Sequence, residues 1–280
     1  MRKIFIFFVM FFFFFPICCL YAQTQKNDSN GDFEVNLFIN FLSQKDRENA
    51  IKIGEKLIKR YPQEGIIYIV LGRTYLEVND YDRALELANQ AEKIVESEKG
   101  RVLLYILFGR SYLEKYKNFE EENDEKKEEL LNKALKYYKL VFNNNPDEET
   151  TASINNYLGI IYCFKKDFKT AIEHFNKSVK FFEKNNSIDI LPVLLNLADA
   201  YSSIQNYNEA YNTIIKCLNL SKINKNQFFE AEAYNFLGLY YYNIGNKKLA
   251  KENLQKARDI YQIIDNEEKI EIINDIILKI

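Results

Sequence analysis

The chain has 280 residues and a formal net charge of −2, with 47% hydrophobic and 28% charged residues. This length can bury a sizeable core, and the nearly neutral charge does not favour nucleic-acid binding. Nine glycines and four prolines are few for the length. A sandwich or barrel with many turns is therefore disfavoured, and a helical protein is favoured.

The first residues have the layout of a secretory signal peptide. Arg2 and Lys3 form a short positive region, residues 4–15 are apolar, and Ala22 stands just before a polar stretch. This arrangement predicts a signal peptide over residues 1–22 that is cleaved after Ala22. We therefore expect an exported, periplasmic protein.

Two other fates of the N-terminal segment remain open. Residues 4–22 are barely long enough to cross a bilayer, so an uncleaved membrane anchor is the alternative localisation. Lipidation at Cys18 or Cys19 is a third, disfavoured by the bulky residues that precede them. Residues 23–30 are polar and predict a short linker.

Beyond the linker the sequence repeats a two-helix pattern. In the clearest copy, apolar or small residues fall at i, i+3, i+4 and i+7, one face of a helix. They are Tyr68, Leu71, Gly72 and Tyr75. A second face follows at Tyr81, Ala84, Ala88 and Ala91. Asn79 and Asp80 lie between the two faces and predict a turn, so the copy is a helical hairpin.

Small residues recur at matching places in later copies, and six hairpins cover residues 31–264. In the first helices these residues are Gly72, Gly109, Gly159, Ala198 and Gly238. In the second helices they are Ala50, Ala84, Ala134, Ala171, Ala210 and Ala250. Small side chains let two helix axes approach closely, so we expect the paired helices to cross at these positions.

This pattern resembles the tetratricopeptide repeat, whose helix pair carries W-x2-L-G-x2-Y followed by A-x3-F and P. Tyr68, Tyr105 and Tyr234 stand where the repeat usually has Trp. The resemblance implies an all-α, right-handed superhelical solenoid of about six helix-turn-helix units, because no hairpin can bury its apolar face alone.

Two regions depart from the repeat. A charged insertion lies near residues 117–131, and it predicts either longer helices with a solvated tip or an arm that docks a basic partner. Residues 265–280 predict a C-terminal capping helix whose apolar face includes Ile270, Ile273 and Ile277. Because this helix is apolar over much of its circumference, a dimer through it is left open.

The sequence offers no catalytic or metal-binding constellation, so we expect a protein that is not an enzyme and has no cofactor. His174 is the single histidine, and nothing pairs it with a nucleophile. After signal cleavage the cysteines are Cys163 and Cys217, which we expect to be buried and free. No metal-ligand spacing is present.

In the family that the chain resembles, ligands lie in a concave groove lined by the first helices. The residues that this resemblance places in the groove as binding residues are Arg73, Arg110, Asn156, Asp199, Asn235 and Tyr242. The known two-carboxylate clamp residues are absent. Arg73 and Arg110 directly follow crossing glycines and would suit a partner carboxylate. Glu77 and Glu114, each four residues on, are the competing internal partners.

We therefore predict a non-enzymatic protein–protein interaction scaffold of the cell envelope that binds a partner protein or peptide. The alternative is a sensory or regulatory module that responds to a peptide. No nucleic-acid partner is expected, and membrane association is expected only through an uncleaved N-terminal segment.

Overall fold

The computed structural model describes residues 29–120 and 123–280, and the predicted signal peptide lies outside these ranges. Within them the chain forms thirteen α-helices and no strand. The chain divides into two compact units, with the break between Asp147 and Glu148. The all-α helical-repeat fold expected from the sequence is confirmed.

The N-terminal unit contains three helical hairpins. Its helices are α1 (Ser29–Ser43), α2 (Arg47–Arg60), α3 (Gly65–Glu77), α4 (Tyr81–Glu92), α5 (Glu98–Lys117) and α6 (Asp124–Phe142). Each odd-numbered helix packs on the even-numbered helix that follows it, and α3 also packs directly on α5. The helices α5 and α6, with 20 and 19 residues, exceed α3 and α4, with 13 and 12. The described charged residues of the insertion from Asp124 to Glu129 lie in the first turns of α6.

The C-terminal unit contains three further hairpins and a terminal helix. Its helices are α7 (Glu148–Phe164), α8 (Phe168–Lys184), α9 (Ile190–Ser203), α10 (Tyr207–Ile223), α11 (Gln227–Asn243), α12 (Lys247–Ile263) and α13 (Glu267–Lys279). The first helices α7, α9 and α11 contact one another in that order. They form the first-helix layer of this unit, and the second helices pack outside it.

The crossing glycines lie where the two helices of a hairpin meet. A Cβ atom added to Gly159 would come within 2.5 Å of Phe175 Cε1, and one added to Gly109 within 2.9 Å of Tyr138. Phe175 and Tyr138 belong to the partner helices and are fully buried. The predicted close crossing is thus present, because an aromatic ring fills the space that a side chain would need.

Seven of the turns share one backbone design. A residue with positive φ ends the turn, and the Asp or Asn after it caps the next helix by accepting a backbone N–H. The positive-φ residues are Lys45, Asn79, Lys166, Gln205, Lys225, Gly245 and Asp265. At Lys166, for example, Asp167 accepts from the N–H of Thr170 at 3.2 Å and its own N–H donates to Tyr162 O. This Schellman-type ending satisfies carbonyl groups that a helix end leaves open.

The terminal helix α13 packs on α12 through Ile273, which is buried with Ala257 and Tyr261 in one apolar cluster. Leu278 on the same helix is 84% exposed. Over the described residues, none of the helices combines the length and the hydrophobicity that crossing a membrane requires.

Candidate functional site

The two predicted arginines lie on neighbouring first helices of the N-terminal unit. Gly72 precedes Arg73 on α3, and a Cβ added to Gly72 would stand 2.8 Å from Leu107 of α5. The absence of a side chain at this point lets α3 and α5 pack side by side. Arg73 and Arg110 therefore share the first-helix layer of the unit, and both are half-buried.

Around these arginines the structure collects a cluster of charged side chains, the arginine cluster. Its members are Arg47, Arg73, Glu77, Arg110, Glu114 and Lys117. Arg47, at the start of α2, makes an ion pair with Glu77, and its guanidinium also donates to Leu42 O at 3.1 Å. Lys117 Nζ lies 3.1 Å from Glu114 Oε2. Three helices thus bring four cations and two carboxylates together.

Burial shifts the titration of the acids in the cluster. It raises the pKa of Glu77, and the charges of Arg47, Arg110 and Arg73 oppose that rise. It also raises the pKa of Glu114, whose side chain is only 14% exposed, against the opposing charges of Lys117 and Arg110. The two internal acids that the sequence named as competitors therefore do face the arginines.

The charges of the cluster are held in a poorly hydrated place. Burial lowers the pKa of Lys117, which shows the cost of holding its charge there. In a medium less polar than water, such charges interact more strongly than on an open surface.

The other four predicted site residues lie in the C-terminal unit. Asn156 and Asn235 are almost completely buried, whereas Tyr242 is 46% exposed. Asn196 of α9 donates to Asn156 Oδ1 at 3.1 Å, so this amide joins α7 to α9. Asp199 is half-buried beside Cys163, where its charge adds to burial in raising the pKa of that thiol. The six predicted residues are thus divided between the two units, two in the N-terminal unit and four in the C-terminal unit.

Two members of the arginine cluster were not predicted. Lys117 stands three residues after Glu114 on the same helix, and that spacing was a readable signal for an ion pair. Arg47 gave no such signal, because its partner Glu77 is thirty positions away on another hairpin. Only the packing of α2 against α3 brings them together.

A cavity of about 660 Å³ lies at the other end of α3 and α5, within the N-terminal unit. Ile66, Ile69, Val95 and Leu103 are among its apolar walls. Glu64, Glu96 and Glu98 stand with Lys99 at its polar edge. A volume of this size is typical of sites that hold a small ligand or a side chain of a partner.

The part of the chain that the structure describes was also searched for metal-binding groups and reactive thiols. No group of three or more His, Cys, Asp or Glu side chains is placed to hold a metal ion there. Cys163 and Cys217 are buried and unbridged, as predicted. Burial raises the pKa of both thiols, so neither is a ready thiolate.

The fold and this site define a helical-repeat protein that presents a charged first-helix face. A model of the tetratricopeptide repeat matches residues 189–263, which form the hairpins from α9 to α12. The crossing glycines and the repeated turns extend the same design to the other hairpins. The chain therefore has the tetratricopeptide-repeat fold, a fold that typically serves protein–protein interaction.

Relatives of the chain share this architecture. A BBSome complex member BBS4 homolog of Drosophila melanogaster is 26% identical over 221 residues, covering 78% of this chain and 39% of its own length. The chain thus spans about two fifths of that curated relative. The apo form of RapI matches with a TM-score of 0.66 and 18% identity, over 89% of this chain and 97% of its own. PilW, a type IV pilus biogenesis factor, matches with a TM-score of 0.64 and 15% identity, over 88% and 99%. The two structural likenesses establish the fold.

Proposed function

We propose that this protein is a non-enzymatic scaffold of the cell envelope whose arginine cluster binds an acidic segment of a partner protein. The observation that carries the proposal is that three arginines and a lysine lie together in the cluster. Four cations and two carboxylates share a half-buried place on the first-helix face, where the repeat fold binds its partners.

The energetics favour an external carboxylate over rearrangement inside the cluster. Glu77 and Glu114 already contact cations, so neither has to leave for a partner acid to bind near Arg73 and Arg110. A hydrogen bond between charged groups contributes about 1.5–3 kcal/mol. The neighbouring Ile69 and Ile106 are buried and limit the access of water. An acidic partner segment therefore gains more here than at an exposed ion pair, which contributes about 0–1 kcal/mol.

The test neutralises the two arginines without adding charge. Arg73→Gln with Arg110→Gln removes two positive charges, and circular dichroism checks that the helices persist. Lys56→Gln with Lys59→Gln on α2 is the matched control, because both lysines are exposed and lie outside the cluster. Proteins captured from envelope extract are compared at low and at high salt.

We expect the arginine variant to lose the main captured protein, while the lysine control keeps it with the native salt dependence. If both variants capture the same proteins as the native chain, the arginines serve only the fold and the proposed site is wrong.

The envelope location rests on the N-terminal pattern and has a separate test. N-terminal sequencing of the protein from the periplasmic fraction should begin at Gln23. Recovery of the chain with residues 1–22 attached in the membrane fraction would contradict cleavage and favour the anchor.

A further inference from the structure

The cavity and the arginine cluster lie along one stripe of two adjacent helices. Ile66 on α3 stands seven residues before Arg73, and Leu103 on α5 stands seven residues before Arg110. Residues seven apart lie on the same face of a helix after two turns. The apolar floor of the cavity therefore faces the same way as the two arginines, on both helices.

The cavity has the opposite charge to the cluster. Three carboxylates, on Glu64, Glu96 and Glu98, stand at its edge with one cation, Lys99. The amino termini of α3 and α5 add about half a positive charge each. The negative charges around the cavity still exceed the positive ones by about one. The walls of the cavity are apolar.

This combination suits one kind of side chain. Lys and Arg have an apolar stem that packs on hydrophobic surface and a charged head that stays at the polar edge. The stem would contact Ile66 and Leu103, and the head would meet the carboxylates. Asn145 already donates to Glu98 Oε2 at 3.1 Å, but an aliphatic side chain would give none of the carboxylates an opposite charge. An acidic side chain is disfavoured by the excess negative charge.

The spacing between the two sites sets the partner sequence. Seven residues of helix rise about 10 Å. An extended peptide advances about 3.3 Å per residue, so three to four of its residues span that distance. We propose that the partner is a peptide segment with a Lys or Arg three or four positions from an acidic residue. The cavity takes the basic side chain and the arginine cluster takes the acid. This inference rests on the proposed function of the cluster.

A phage-displayed library of random dodecapeptides tests the spacing directly with the full chain as bait. Three baits are compared: the native chain, a cavity variant with Glu64→Gln and Glu96→Gln, and the arginine variant described above. Glu64 makes no side-chain capping bond and Glu96 is exposed, so both substitutions leave the fold intact. A control bait with Glu252→Gln and Glu271→Gln removes two exposed negative charges from the C-terminal unit.

The native chain and the control bait should enrich peptides with the acidic and basic residues three or four positions apart. We expect about fivefold enrichment over other spacings, which is about 1 kcal/mol. The cavity variant should lose the basic preference and keep the acidic one, and the arginine variant should lose the acidic preference.

The remaining outcomes separate the two proposals. Enrichment of acidic residues by the native chain without a basic residue at this spacing overturns the cavity inference and leaves the proposed function standing. Enrichment without any acidic preference overturns the arginine site. Absence of any enriched peptide counts against both.

Discussion

Lys269 of the terminal helix α13 reaches back to Glu232 of α11, with its Nζ atom 3.0 Å from Glu232 Oε1. Glu232 is completely buried. Burial raises its pKa, and Lys269, the Tyr261 hydroxyl and the Asn235 amide oppose that rise. One buried carboxylate thus joins α11, α12 and α13 of the C-terminal unit.

Removing one partner of this buried pair should cost more than removing both. Lys269→Met leaves the Glu232 carboxylate without its cation, which costs about 3–5 kcal/mol for a buried pair. The double variant with Glu232→Gln should recover most of that loss, because no buried charge remains. Urea unfolding of the two single variants and the double variant measures the coupling. Additive losses would mean that the pair contributes no specific interaction.

Asp189 should make the stability of the chain depend on pH. It is buried at the start of α9, and burial with the nearby Glu149 charge raises its pKa from 3.8 to about 6, against the Ser187 hydrogen bond. The folded chain therefore holds this proton more tightly than the unfolded chain. Its contribution to stability is full below pH 4 and is lost as the pH rises through 6.

Asp189→Asn tests this dependence, since the amide oxygen can still accept from Ser187 and cannot ionise. The variant should be more stable than the native chain at pH 7.5, by about 1 kcal/mol after allowance for solvent screening. Near pH 4 the two should melt alike. A difference in melting temperature that stays constant from pH 4 to 7.5 would contradict the assignment.

Gly159→Leu should destabilise the chain by about 1–3 kcal/mol or more, because it overpacks a tight helix crossing. Even the first added carbon would stand 2.5 Å from the ring of Phe175. Thermal unfolding followed by circular dichroism measures the loss. The control combines Gly159→Ala with Phe175→Leu, because the leucine side chain is smaller than the phenylalanine ring. The double variant should lose less stability than the sum of the losses of the two single variants. An unchanged melting temperature for Gly159→Leu would place this glycine away from the crossing.

Lys166→Gly should stabilise the turn between α7 and α8. Lys166 has φ of 61°, and a side chain in that region costs about 1–2 kcal/mol. Glycine avoids that cost, but its conformational freedom in the unfolded chain lowers the free energy of unfolding by about 0.5–1 kcal/mol. The expected net gain is about 0.5–1 kcal/mol in chemical unfolding. Lys165→Gly, one residue earlier and without positive φ, should give no gain.

Much of the fold could be predicted from the sequence, because its signals are local. Gly159 and Ala171 recur at repeat spacing, and Asn79 and Asp80 mark a turn between two helical faces. Such patterns depend on neighbours within a few turns of helix, so a linear scan detects them. The positive φ of Lys166 escaped detection because a lysine carries no sign of that conformation.

The candidate site was only half predictable. Arg73 and Arg110 could be named because each follows a crossing glycine, and Glu77 and Glu114 because they lie one turn further on. The buried amides of Asn156 and Asn235 were placed on the same face, although their environment depends on how closely the first helices of the C-terminal unit approach one another. Helical periodicity indicates which residues share a face of the helix, but it does not indicate how deeply that face is buried.

The sequence alone determined that this chain is a series of helical hairpins with small residues at their crossings, since helical periodicity and turn residues are local signals. Only the tertiary structure decided which charges meet. Arg47 pairs with Glu77 and Lys269 with Glu232 across separate helices. Coulomb interactions depend on distance in space and on burial, and both arise from the packing of helices that are far apart in the chain.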